Sequence, residues 1–178
     1  MGLRLITLLA LTGVVCYASA TSAAHGNRAA TVARIPALPE KSTSTAGQCP
    51  IPSQFRGAFV RAAHDSGLQL SMLVAVAQVE SEFQPNARSQ ADARGLMQVV
   101  PTTAAELKLD VDKPATNVLA GARYLRLMLD RFSRTDLALA AYNAGPTLVE
   151  RLGRAPNGES LSYVANVQQR WAALAGCS

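Results

Sequence analysis

A chain of 178 residues, 49% of them apolar, is long enough for one domain with a real core plus some extra segments, and too apolar to be disordered. Its formal net charge of +5 allows an anionic partner such as a cell-wall polymer. The positive charge is scattered and almost all arginine, without the block or stripe of a nucleic-acid surface, so nucleic acid is excluded as a partner.

Residues 1–20 begin with Arg4, continue with an apolar run over 5–15 and close on Ala18, Ser19 and Ala20. Such a run is too short to span a bilayer as a helix, which counts against an uncleaved anchor; the pattern predicts a secretory signal peptide. Cys16 follows Val15, not a small residue, so no lipid anchor is expected. Residues 21–48 are rich in Ala, Ser, Thr, Pro and Gly, show no hydrophobic period, and are expected to form a flexible linker. Cys49 and Cys177 then flank the rest of the chain. In an exported protein they predict one disulfide joining the ends of the domain, against the alternative of two free thiols.

Over 49–178 helix signals follow one another and strand signals do not. The first helix has Ser53 as a candidate N-cap, Phe55, Phe59, Ala62 and Ala63 on one face, and Gly67 at its end. The second, with Ser71 as candidate cap and Pro85 as terminator, is apolar nearly all round and should be central. Thr103 and Glu106 have the spacing of a capping box. Val118, Ala122, Leu125 and Leu129 form a stripe, a short apolar helix follows, and Pro146 opens another short turn. A last helix turns Val164, Val167, Trp171 and Leu174 inward. Short connections between such elements predict a compact all-α domain.

The second helix ends in two acids, Glu80 and Glu82. Glu80 shares a face with Val76, Ala77 and Phe83, whereas Glu82 lies about 200° round. A carboxyl among apolar groups loses hydration and keeps its proton nearer to neutral pH, as a general acid requires. Periodicity alone leaves open that both acids are simply solvated at the helix end. His25 and His64 belong to no His-Cys-acid cluster with metal-ligand spacing, and there is no Gly-rich phosphate loop; neither a cofactor nor a metal is expected.

The stretch from Glu80 to Ala104 contains Glu80, Ser81, Phe83, Pro85, Ala87 and Ser89 in the spacing ES-x-F-x-P-x-A-x-S, then GLMQ over 95–98, Pro101, Thr103 and Ala104. Asn117, Gly121, Tyr124 and Leu125 follow, then ALAAYNAGP over 138–146, and then Glu159, Tyr163 and Val164. In that order these motifs resemble the soluble lytic transglycosylases, bacterial relatives of goose-type lysozyme. The resemblance implies a lysozyme-like helical domain with Glu80 as its single catalytic acid. It implies that Ser89, Met97, Gln98, Tyr142, Asn143 and Tyr163 line or support the glycan site, with the Tyr142 hydroxyl near Glu80 and Tyr163 near the same carboxyl. Tyr142 and Tyr163 as plain core aromatics, and Met97 as core, remain open. Two departures are Asp92, where the family often has Gly, and Ser160 in place of Thr. Asp92 is a solvated loop charge or a second active-site acid.

The implied function is that of an exported, monomeric peptidoglycan lytic transglycosylase, periplasmic or wall-associated. It would cleave the β-1,4 MurNAc–GlcNAc bond with formation of 1,6-anhydro-MurNAc. The alternatives are a hydrolytic muramidase using a second carboxylate, and a non-catalytic glycan-binding module.

Overall fold

The computed structural model describes residues 47–178; the expected signal peptide and nearly all of the expected linker lie outside the described residues. The domain is all-α. Its helices are α1 (Ser53–Ser66), α2 (Leu70–Glu80), α3 (Pro101–Glu106), α4 (Pro114–Arg131), α5 (Thr135–Ala144), α6 (Pro146–Leu152) and α7 (Gly158–Ala173). The long connection between α2 and α3 carries only isolated bridges, Arg88 with Arg94 and Arg94 with Val99.

α2 lies at the centre because it has no polar face over its length: Ser71 to Ala77 are all buried. Leu73, Val74 and Val76 are fully buried, each contributing about 1.5–3 kcal/mol of apolar transfer. α2 packs against α7 and α1, α1 lies along α4, and α5 joins α4, α6 and α7. The stripes read from sequence face this core. Phe55, Phe59, Ala62 and Ala63 of α1, and Val118, Ala122 and Leu125 of α4, are buried. Val164 and Val167 of α7 are also buried, while Leu129, Trp171 and Leu174 pack against the core from its edge.

The helix starts differ from the expected caps. Ser53 and Ser71 lie inside α1 and α2 behind Pro52 and Gln69, and neither helix has a side-chain cap bond. The Thr103–Glu106 capping box does not form, because α3 already begins at Pro101. Proline at the first helical position has its φ preset and no N–H to satisfy; α4 and α6 start in the same way. The side-chain cap that does form is at α7, where Asn157 Oδ1 accepts from the Ser160 N–H at 2.8 Å. Gly67 ends α1 as expected, in the left-handed region at φ 65°.

α2 stops at Glu80, well before Pro85. Glu82 and Phe83 then adopt left-handed φ values of 49° and 61°. Phe83 is therefore not one helical turn beyond Glu80. It folds back edge-on against Phe59, with ring centroids 5.7 Å apart. Cys49 and Cys177 form the disulfide, bridging 128 positions of sequence. Next to it the Gly47 carbonyl accepts from the Ser178 N–H and hydroxyl, so packing begins slightly before Cys49.

Candidate active site

The abrupt end of α2 places Glu80 at the wall of a cleft of about 650 Å³. Ser89, Gln98, Tyr124, Tyr142, Asn143 and Glu159 line the same cleft. Tyr163, brought in by α7, donates its hydroxyl proton to Glu80 Oε1 at 2.7 Å. Burial pushes the Glu80 carboxyl up to about 7, against the smaller opposing effect of the Tyr163 hydrogen bond, which favours the carboxylate. The Tyr163 hydroxyl is itself pushed well above its usual range, chiefly by burial and then by the neighbouring Glu80, so it stays a donor.

The loop over 94–98 brings Gln98 to the cleft, and side chains from three helix regions hold its backbone. Ser81 Oγ, at the end of α2, donates to the Leu96 carbonyl at 2.8 Å. Asn117 of α4, 1% exposed, accepts from the Met97 N–H at 2.9 Å and donates to the Arg94 and Val111 carbonyls. Tyr142 of α5 donates to the Met97 carbonyl at 2.8 Å. A buried carbonyl or amide without a partner costs about 1–3 kcal/mol, so these bonds fix the loop to the helices that carry the site.

Each expected site residue has a definite place. Ser89 is exposed on the cleft and closes its own turn, its Oγ accepting from the Ala93 N–H at 3.1 Å. Gln98, at φ 45°, lines the cleft while its Nε2 donates to the Ala87 and Gly95 carbonyls. Asn143 is exposed on the cleft, with Oδ1 accepting from Ser160 Oγ at 2.8 Å. The Ser160 departure thus preserves the hydroxyl that this bond uses. Met97 is corrected: its side chain is completely buried against Gly121 and does not line the cleft. Tyr142 lines the cleft, and its hydroxyl, expected near Glu80, feels that carboxylate, which after burial pushes it up, while it donates its proton to the Met97 carbonyl.

Asp92 is held by Arg94 and Arg88 at 2.8 and 2.9 Å and is not among the cleft-lining residues. The Arg94 guanidinium holds its carboxyl below the usual carboxylate range. Of its two readings, loop charge fits. Glu82 is exposed and also stands outside the cleft lining. Sequence reasoning assigned no role to Ser81, Asn117, Tyr124 or Glu159, although all four stand within the motifs. Asn117 and Gly121, one turn apart on α4, were the available signal.

Gly121 is where the loop and α4 touch. A Cβ there would lie 2.5 Å from Met97 Cβ, 2.8 Å from Met97 Cγ and 2.9 Å from the Tyr142 hydroxyl oxygen. Gly121→Ala should therefore destabilise the domain by about 1–3 kcal/mol through overpacking. That corresponds to a Tm lower by about 3–15 °C in thermal unfolding followed by circular dichroism. An unchanged Tm would mean that the loop does not need this close approach.

Comparison with known proteins places this geometry. The family model described as Transglycosylase SLT domain matches residues 57–162. Membrane-bound lytic murein transglycosylase F of Nitrosospira multiformis is 33% identical over 119 residues, covering 58% of this chain and 25% of that protein. The putative soluble lytic murein transglycosylase of Haemophilus influenzae is 31% identical over 130 residues, covering 66% and 22%. Among solved structures, an inactive mutant of lytic transglycosylase Slt from Pseudomonas aeruginosa superposes with a TM-score of 0.59 at 30% identity, over 67% of this chain and 24% of that one. The 70-kDa soluble lytic transglycosylase in complex with bulgecin A gives 0.60 at 27%, over 68% and 24%. The chain thus spans about a quarter of the length of these relatives. The match runs from within α1 to the first residues of α7 and includes Glu80, Tyr142 and the 94–98 loop, and on it the chain belongs to the transglycosylase SLT domain family.

Proposed function

We propose that the chain is a peptidoglycan lytic transglycosylase, with residues 49–178 as its catalytic domain and the segment before them as leader and linker. The observation that carries this reading is the Glu80 carboxyl, largely buried at the wall of a cleft, hydrogen-bonded by Tyr163 and pushed up to about 7. The relatives described as murein transglycosylases support the same substrate. They also support a place of action outside the cytoplasm, in keeping with the expected leader. No helix among the described residues is long and apolar enough to cross a membrane.

Protonated Glu80 would donate to the glycosidic oxygen between MurNAc and GlcNAc. Tyr163 occupies Oε1, which leaves Oε2 to carry the transferable proton. As the C1–O bond breaks, an oxocarbenium-like centre would form at MurNAc, assisted by its own N-acetyl oxygen. Ionised Glu80 would then take the proton of the MurNAc 6-hydroxyl as that oxygen bonds to C1. The product is 1,6-anhydro-MurNAc, and no water is consumed. One carboxyl serves both steps, so the chemistry needs no second acid. Ser89, Gln98, Tyr142 and Asn143 would hold the glycan, and the domain would act as a monomer.

Glu159 is a second carboxylate on the cleft, and it favours the hydrolytic alternative if it activates water. The pH profile of the reaction tests whether protonated Glu80 is the working form. With purified sacculi, kcat/KM for release of soluble fragments should fall about tenfold per pH unit above about 7, as the acid form is lost. A profile flat from about pH 6 to 9 contradicts the assignment.

A further inference from the structure

The cleft takes Ser89, Gln90, Ala91 and Ala93 from one turn in the connection between α2 and α3. Hydrogen bonds close this turn on itself: the Ser89 N–H donates to the Ala93 carbonyl, the Asp92 N–H to the Ser89 carbonyl and the Ala93 N–H to Ser89 Oγ. Asp92 stands within it at φ 60°, where glycine is at ease and a side chain costs energy. Its carboxylate reaches out of the turn. Arg94 Nε and Nη2 donate to the two Asp92 oxygens at 3.0 and 2.8 Å, and Arg94 Nη1 donates to both Asp112 oxygens at 3.1 and 3.0 Å. One guanidinium thus ties the turn to the connection between α3 and α4. The Arg94 backbone is itself fixed, its N–H donating to the Val99 carbonyl and its carbonyl accepting from Asn117 Nδ2. Its side chain is only 22% exposed, against 57% for Arg88, which adds one bond to Asp92. Ion pairs rather than packing make this connection, since a cavity of about 190 Å³ opens beside Arg88, Arg94 and Asp112.

We propose that Asp92, Arg94 and Asp112 form a clamp that positions the 89–93 turn, so that the glycan strand meets a preformed cleft wall. The proposal rests on the reading of the cleft as a glycan site. None of the three clamp residues lines the cleft, so each acts through the turn and not on the strand. A single exposed ion pair contributes little, because two long side chains must be ordered to make it. Here the planar fork of one arginine, already anchored at its backbone, engages two carboxylates at once. A turn cut loose from the clamp has to be ordered by each strand that binds, which weakens binding and leaves the Glu80 chemistry untouched.

Two measurements test the clamp: binding of purified sacculi in the Glu80→Gln background, which needs no turnover, and KM and kcat for fragment release with Glu80 intact. Arg94→Gln should weaken binding and raise KM about five-fold, with kcat within about two-fold of the unaltered protein. Arg94→Lys should behave like Arg94→Gln, because an ammonium keeps the charge but cannot fork to both acids. Asp112→Asn should weaken binding in the same direction, and adding it to Arg94→Gln should cost nothing further. Unchanged binding in Arg94→Gln, full binding in Arg94→Lys, an added loss in the double variant, or a fall in kcat at unchanged KM overturns the proposal. If circular dichroism shows Arg94→Gln unfolded, Asp112→Asn decides, and unchanged binding there overturns the proposal equally. Fragment release by the unaltered protein with binding indifferent to the clamp variants removes the clamp and keeps the catalytic reading. Clamp-dependent binding without fragment release does the reverse, and absence of binding to sacculi removes both.

Discussion

Glu80→Gln should lower the rate of sacculus solubilisation by about 10⁴-fold or more. General acid–base assistance by one group is typically worth about 10²–10⁴-fold. Here the same carboxyl would serve leaving-group protonation and deprotonation of the 6-hydroxyl, so the loss lies at or beyond the top of that range. The amide keeps the shape of the side chain and an oxygen for the Tyr163 hydroxyl to donate to. Binding of the glycan should therefore survive, with the loss confined to kcat. Glu82→Gln, at an exposed position outside the cleft, should cost little. Near-full activity in Glu80→Gln would remove the whole assignment.

The same substitution should make the protein more stable at alkaline pH. The carboxyl is raised from 4.5 to about 7, so between those values the folded state binds more protons than the unfolded chain. Stability contributed by this site is therefore fully present below about 4.5 and is lost as pH rises through about 7. Glutamine does not ionise and escapes the loss. The gain in Glu80→Gln should approach at most about 3 kcal/mol above neutrality and disappear near pH 4. A gain independent of pH would mean that packing, not ionisation, is what changed.

Removing the disulfide by Cys49→Ser with Cys177→Ser should cost about 2–4 kcal/mol, below the 4–5 kcal/mol that chain entropy alone assigns to so long a loop. The bond closes 128 positions of sequence. It also secures the end of the chain that follows α7, the helix from which Tyr163 reaches Glu80. Urea unfolding of the double variant, with allowance for a changed m-value, measures the difference. A loss below roughly 1 kcal/mol would mean that the unfolded chain gains little freedom when the link is cut.

The parts of the domain that sequence made legible are those governed by local periodicity. The one-sided stripes of α1, α4 and α7, and the all-round apolarity of α2, follow from which residues must leave water. Glu80 was legible for the same reason, as an acid among apolar neighbours, although Phe83 was counted on a helical turn that does not exist. The left-handed residues Glu82 and Phe83 that end α2 have no hydrophobic period to announce them. The start of α3 departs from the expected capping box because Pro101 at its first turn makes a side-chain cap unnecessary, whereas α1 and α2 begin without a side-chain cap bond from Ser53 or Ser71.

The site itself is built from bonds between distant positions. Ser81 reaches Leu96 across 15 residues, Asn117 reaches Met97 across 20, Tyr142 reaches Met97 across 45, and Tyr163 reaches Glu80 across 83. No local pattern encodes such pairs. Tyr163 and Tyr142 were found through the family resemblance, which placed both near Glu80 but could not say which hydroxyl meets the carboxyl. Met97 went to the core because Gly121 leaves room for it there.

The central claim is that the bond is broken without water. It is tested most directly by mass spectrometry of fragments released from purified sacculi in heavy-oxygen water. The account predicts MurNAc ends lighter by one water than hydrolysed ends, carrying no heavy oxygen. Reducing MurNAc ends that carry one heavy oxygen per cleavage would contradict it and transfer the chemistry to a hydrolase with a second carboxylate.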